Sequence, residues 1–322
     1  MDLKQSIIKT IAFFDLFDFP LKAEEIQEYL YQYDRPVHIK EIQETLKEME
    51  GVVNPIHDFF VLGGREKIID TRKARKFIAE KWWGRVRQYM QYVVQVPFVE
   101  MVAVCNNLAY DNPSEDSDID LFIIIREGRM WLARLLITLI LQFFGVRRHA
   151  DKIAGRFCLS FFVTPKQLSL SAVEMKPEDP YLAYWTKWLM PIYGSEMYAQ
   201  FKNQNQIWLQ KGYGLRFSDL NQKQNVFQGK GALRKGLEWM LGGWLGDQIE
   251  KAIRKLWLPR TTRHAAALGP EASVVVSDDM LKFHNHDKRK EYFEKWMTIV
   301  SQTLSELGEL EKQKETQNSP PG

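Results

Sequence analysis

Residues 106–125, NNLAYDNPSEDSDIDLFIII, constrain this chain more than any other stretch. Asp118 and Asp120 stand two apart at the start of an apolar, β-branched run. Side chains on a strand alternate faces, so both carboxylates take one face while Ile119 and Leu121 take the other. A second apolar run, residues 99–105, precedes them across a short turn. Residues 128–145 follow as an apolar helix and residues 156–164 as a third strand. Strand–helix–strand–helix–strand is an α/β core. Two hard oxygen ligands held side by side suit Mg²⁺, which also takes phosphate oxygens and water. A cation so held can activate a hydroxyl and stabilise a leaving pyrophosphate. The plain alternative is an acidic loop at the head of a strand.

The flanking segments read differently. Residues 3–17, 22–33 and 38–49 carry apolar side chains at helical spacing. Residues 52–54 and 59–62 are short β-type runs. Three helices followed by a hairpin is the winged-helix order, assigned to residues 1–64. That segment holds six Lys/Arg against twelve Asp/Glu, whereas residues 65–97 hold nine against three. An acidic module followed by a basic helical connector is expected, with the option that one folds onto the other. DNA binding by the third helix is disfavoured, because Glu41, Glu44, Glu48 and Glu50 give its surface the wrong sign for phosphates. Residues 171–312 read as a helical C-terminal domain. Its strongest helical stretches are 180–200 and 233–257, with a short strand at 273–276 and a final helix over 289–312. Residues 313–322 read as a disordered tail.

The core segment resembles the DNA polymerase β-like nucleotidyltransferase superfamily. That pattern is a strand, Gly-Ser, a gap of about ten residues, then Asp-hydrophobic-Asp-hydrophobic. The strand at 99–105, then Asn106-Asn107-Leu108-Ala109, then Ser117-Asp118-Ile119-Asp120-Leu121, fit it. The layout is similar to bacterial nucleotidyltransferase-domain proteins with an N-terminal winged helix. The resemblance implies an α+β fold: a winged-helix module, a small nucleotidyltransferase core with a short mixed sheet over residues 98–170, and a helical C-terminal domain. It implies transfer of a nucleoside monophosphate from a nucleoside triphosphate to an acceptor hydroxyl. Asp118 and Asp120 would be the catalytic residues and Mg²⁺ ligands. Asn106 and Asn107 would stand in for Gly-Ser at the phosphates, beside Ser117. Asn tolerates left-handed backbone, so Asn106 can partly replace Gly. Arg129 and Arg134, near the start of the following helix, are candidate phosphate partners.

The family's third carboxylate, on the later strand, is missing. Ser160 stands where it is expected, and residues 156–164 hold no acidic residue. Glu115 or Asp116 could substitute from the loop. The alternative is therefore a catalytically degenerate nucleotide-binding or protein-interaction module. Residues 278–289, DDMLKFHNHDKR, invite a metal reading at His284, His286 and Asp287, but without zinc spacing. They read instead as a helix start, with the option that Lys282 and His284 face the cleft. Arg147-Arg148-His149 reads as a loop. Cys105 and Cys158, in apolar runs without CxxC spacing, read as two buried reduced thiols of a cytoplasmic protein. The N-terminus lacks a signal-peptide pattern, and no apolar stretch is long enough to span a bilayer. No Ser–His–Asp set, GxGxxG or P-loop appears.

Overall fold

A computed structural model describes residues 2–149, 151–217, 227, 231–267, 272–284 and 287–318. Helices α1 (Leu3–Asp15), α2 (Ala23–Glu28) and α3 (Ile39–Glu48) precede a two-stranded antiparallel hairpin, β1 (Val53–Ile56) and β2 (Phe59–Leu62). Ile7, Ile11, Phe14, Ile26, Ile42 and Leu46 turn inward and are buried. The second helix is shorter than its apolar spacing predicts. Beyond Glu28 the backbone donates elsewhere: Tyr31 N to Thr10 Oγ1 at 3.0 Å and Gln32 N to Tyr213 O at 2.7 Å.

One long helix, α4 (Ile68–Val93), forms the basic connector. The acidic and basic segments do fold together. Arg65 Nε lies 2.9 Å from the buried Asp15 carboxylate. Arg65 also reaches Asp18 at 2.7 Å, Arg72 reaches Glu25 at 2.5 Å and Arg75 reaches Asp18 at 3.4 Å.

Six strands form a mixed sheet: β3 (Val99–Val104), β4 (Ile119–Ile125), β5 (Phe157–Val163), β6 (Met190–Tyr193), β7 (Ser273–Val276) and β8 (Met280–His284). Their order is β6-β3-β4-β5-β8-β7. Only β4 and β5 are parallel, joined through α5 (Met130–Phe143); the other pairs are antiparallel. The α+β class is therefore observed. β4 reads as a nearly unbroken apolar run because both its faces are covered. Leu121 and Ile123 join the core against α4 and α5. Phe122 and Ile124 join the core against α6 (Pro180–Lys187) and α7 (Ser195–Tyr213).

Three expectations need correction. The C-terminal part, expected to be mostly helical, supplies β6 and β8 to the sheet besides the expected short strand β7. β6 lies inside the stretch expected to be one helix. Pro191 cannot serve a helix interior, and Gly194, at φ +88°, turns the chain where a Cβ would sit 2.1 Å from Glu100 O. The stretch around Asp278 is a hairpin between β7 and β8 rather than a helix start. Thr164 Oγ1, just past β5, donates to Asp279 Oδ1 in its turn at 2.6 Å. Finally, α10 (Arg289–Asn318) continues past residue 312 into the stretch expected to be disordered. Glu, Lys and Gln there are good helix formers, and Lys314 Nζ donates to Glu48 O at 2.8 Å. Residues 319–322 lie outside the described residues.

Helices α8 (Ala232–Leu241) and α9 (Trp244–Ala267) meet at an elbow made by Gly242-Gly243. No helix among the described residues is long and apolar enough to cross a membrane.

Candidate functional site

Asp118 and Asp120 open β4, and β5 starts beside them. Because the two strands run parallel, the residues just before and at the head of β5 lie next to the carboxylates. Asp120 pairs in register with Cys158. One carboxylate oxygen from each Asp and the Cys158 sulfur all lie within 4.8 Å of one another. Ser160, expected at the third-ligand position, lines the same cavity as Asp120 and Cys158, two residues further along β5. β4 and β5 start with Ile119 opposite Phe157, so Cys158 stands beside Asp120, and the strands slip by one residue only beyond that pair. Cys158 is half-buried rather than fully buried as its apolar run suggested. Burial and the two carboxylates raise its pKa, so the thiol is held neutral. Cys105 is buried, as its sequence suggests.

Each Asp has a partner. Arg148 Nη1 lies 2.5 Å from Asp118 Oδ2 and 3.8 Å from Cys158 Sγ. Asn106 Nδ2 donates to Asp120 Oδ2 at 2.7 Å, and Tyr181 Oη donates to Asn106 Oδ1 at 3.3 Å. Asn106 sits at φ +56°, in the left-handed region, at the head of the short 3-10 turn after β3. Burial and the adjacent Asp118 charge push the Asp120 carboxyl up to about 7.

The site opens into a cavity of about 840 Å³. Arg134, Arg147, Arg148, Arg260, Lys282, Lys288 and Arg289 line it, against Asp120 and Asp287 as the only carboxylates in the lining among the described residues. Much of this positive charge is unbalanced. Arg134 lies over the Phe162 and Phe283 rings, and its buried Nε has no hydrogen-bond partner. Burial and the Arg147 charge lower its pKa to about 10. Lys282 is buried on β8, and burial together with Arg289 lowers it to about 8. Like charges gathered out of water are costly unless an anion joins them. Tyr181, Trp185, Trp257 and Tyr292 supply aromatic wall.

No family model, curated protein or solved structure matches this chain. The site therefore rests on its own geometry.

The structure sorts the sequence candidates. Asp120, Asn106 and Arg134 line the cavity, and Asp118 is paired with Arg148, which lines it too. Asn107 does not: it is exposed, and its Oδ1 accepts from Tyr110 Oη at 2.8 Å. Ser117 closes a turn, its Oγ accepting from Ser114 N at 2.9 Å, and lies outside the lining. Glu115 and Asp116 are exposed on that turn and outside the lining too.

Arg129 is a correction. It caps α5 beyond the far end of β4, roughly 20 Å from the carboxylates at about 3.3 Å per strand residue. Its guanidinium is committed to the α8–α9 elbow instead, 3.2 Å from Leu241 O, 2.9 Å from Gly242 O and 2.7 Å from Asp247. Cys158, Arg147 and Arg148 are the residues that sequence reasoning missed. The Arg147-Arg148-His149 run stands just before a strand parallel to β4, and that was the available signal. Lys282 does face the cavity; His286 lies outside the described residues, and Asp287 is bound to Arg289 at 2.6 Å.

Proposed function

We propose that the protein binds a nucleoside triphosphate in this cavity and transfers its nucleoside monophosphate to an acceptor hydroxyl. The proposal reads residues 98–170 as a polymerase β-like nucleotidyltransferase core. One observation carries it: Asp120, clustered with Asp118 at the head of β4, lines a cavity whose described cations outnumber its described carboxylates. A cavity of 840 Å³ has room for such a ligand.

The donor set fits a hard divalent cation. Asp118 and Asp120 would hold it, while the neutral Cys158 thiol is a poor ligand for Mg²⁺. Bound Mg²⁺ would supply charge neutralisation at the phosphates. The rest of the work falls to the chain. Asn106 orients the Asp120 carboxylate. Arg148 is placed to leave Asp118 for a phosphate oxygen, and Arg134 and Arg147 add charge-assisted donors. Tyr181 and Trp185 offer faces for the base. In this reading the winged-helix-like module docks rather than binds DNA, since its Arg partners are already spent on Asp15, Asp18 and Glu25.

A second reading, nucleotide binding without transfer, has one observation in its favour. A thiol, not a carboxylate, stands beside Asp120 on β5.

The test is thermal unfolding with each nucleoside triphosphate, with and without Mg²⁺. Ligand at about a hundred times its Kd adds roughly 2.7 kcal/mol. The shift should require Mg²⁺ and disappear in Asp118→Asn/Asp120→Asn. No shift with any triphosphate would sink both readings; a shift without pyrophosphate release across a panel of acceptors would favour the second.

A pH dependence follows from Asp120. A protonated carboxyl must lose its proton before it can bind a cation. With its pKa near 7, cation-dependent nucleotide affinity should fall steadily from pH 8 to pH 6. An unburied carboxylate would give a flat profile there, so titration calorimetry at these pH values decides the point.

A further inference from the structure

The α8–α9 elbow is built to be presented. Trp239 is 87% exposed and Trp244 74% exposed, on either side of the glycine pair. Met240 and Leu245 beside them are also exposed. Large apolar side chains gathered at one tip are unusual on a protein surface and mark an interaction site. The tip is not loose. Arg129 clamps Leu241 O and Gly242 O from beneath and pairs with Asp247. A Cβ on Gly246 would lie 1.7 Å from Leu241 O, so the two helix ends meet without space. Glu250 fixes α9 further, accepting from Trp131 N at 2.8 Å and Leu132 N at 2.7 Å.

The charges around the tip decide what covers it. Every acidic residue of α8 and α9 has a partner: Glu238 with Arg234, the exposed Asp247 with Arg129, and Glu250 with the α5 backbone. The lysines differ. Lys235, Lys251 and Lys255 are exposed and make no ion pair or side-chain hydrogen bond among the described residues. Helical spacing puts Lys235 one turn from Trp239 on the same side. It likewise puts Lys251 and Lys255 on the side of Trp244. The surface therefore offers tryptophan and aliphatic side chains at the tip and uncompensated cations along its flank.

We infer that this elbow docks the protein on an anionic lipid bilayer. Trp239, Met240, Trp244 and Leu245 would enter the interfacial region, and the three lysines would meet lipid phosphates. Indole suits that zone, having a large apolar body and one polar N–H. Apolar insertion combined with anionic-lipid attraction is how a helix surface lies on a membrane without crossing it. The inference is independent of the nucleotide site, whose carboxylates are on β4.

The full-length protein would be sedimented with vesicles of phosphatidylcholine containing 30 mol% phosphatidylglycerol, and with pure phosphatidylcholine. Binding to the anionic vesicles should be at least tenfold tighter and should weaken in 0.5 M NaCl. Trp239→Ser/Trp244→Ser, both solvent-facing, should reduce binding at least tenfold with an unchanged unfolding midpoint. Lys235→Gln/Lys251→Gln/Lys255→Gln should remove the preference for anionic lipid. Brominated lipid should quench the wild type more than the Trp variant. Failure of the wild type to sediment would overturn the inference. So would equal binding by the Trp variant, or self-association in solution that the Trp variant abolishes while vesicles capture neither.

Discussion

Under the proposed nucleotidyl transfer, Cys158→Asp should raise pyrophosphate release about a hundredfold over the wild type at saturating triphosphate and Mg²⁺. The reason is positional. Cys158 stands opposite Asp120 in register, with its sulfur in the same cluster as both carboxylates. Burial and those carboxylates keep the thiol protonated, so it neither accepts a proton from an attacking hydroxyl nor adds negative charge. A positioned general base contributes about 10²–10⁴-fold, and a hundredfold is the low end of that range. Arg148, which reaches both Asp118 and Cys158, would partly offset the added charge. Cys158→Ser serves as the control, because it keeps the size class without supplying a base. An unchanged rate in Cys158→Asp, with nucleotide binding intact, would mean that the proton leaves by another route and that β5 has no part in it.

Trp296→Ala should lower stability by about 3–5 kcal/mol, as expected for emptying a fully buried large aromatic site. Trp296 lies on α10 and is fully buried. Its Nε1 donates to Lys9 O at 2.9 Å, and its ring meets Tyr31 edge-on at 5.1 Å. One side chain thus ties the last helix to the first. Trp296→Phe keeps part of the ring and loses the hydrogen bond, so it should cost distinctly less. Urea unfolding followed by circular dichroism measures both. A loss below about 1 kcal/mol for the alanine variant would contradict the docking of α10 on α1.

Parts of this molecule were legible before any coordinates, for reasons that can be named. The strand carrying Asp118 and Asp120 announces itself by a two-residue period ending in an apolar run that both faces of a sheet can bury. The charge contrast between the first two segments became ion pairs because opposite charges set side by side in sequence had only a short distance to travel. β6 was hidden. Met190–Tyr193 is four apolar residues between two helical patterns, and its extended form is imposed by pairing with β3, a partner remote in sequence. β8 was hidden likewise: its polar neighbours resemble a helix start until β5 claims it.

Arg129 could have been placed correctly from sequence. A crossover helix runs back along its strand, so residues later in α5 approach the start of β4. Arg134 was the better choice from that consideration alone. Cys158 could not be placed, because the register in which β5 starts beside β4, Phe157 opposite Ile119, is set by the packed sheet and periodicity does not reveal it.

The strand order also sets a timetable. β5 is complete at Val163, but its outer neighbour β8 begins only at Met280. At a ribosomal pace of about 5–20 residues per second, that interval lasts roughly 6–23 s. Throughout it the nascent chain holds an apolar strand with one bare row of amides and carbonyls, the configuration that invites pairing with a foreign edge. A sheet closed only by a distant hairpin carries that open edge until the hairpin is made.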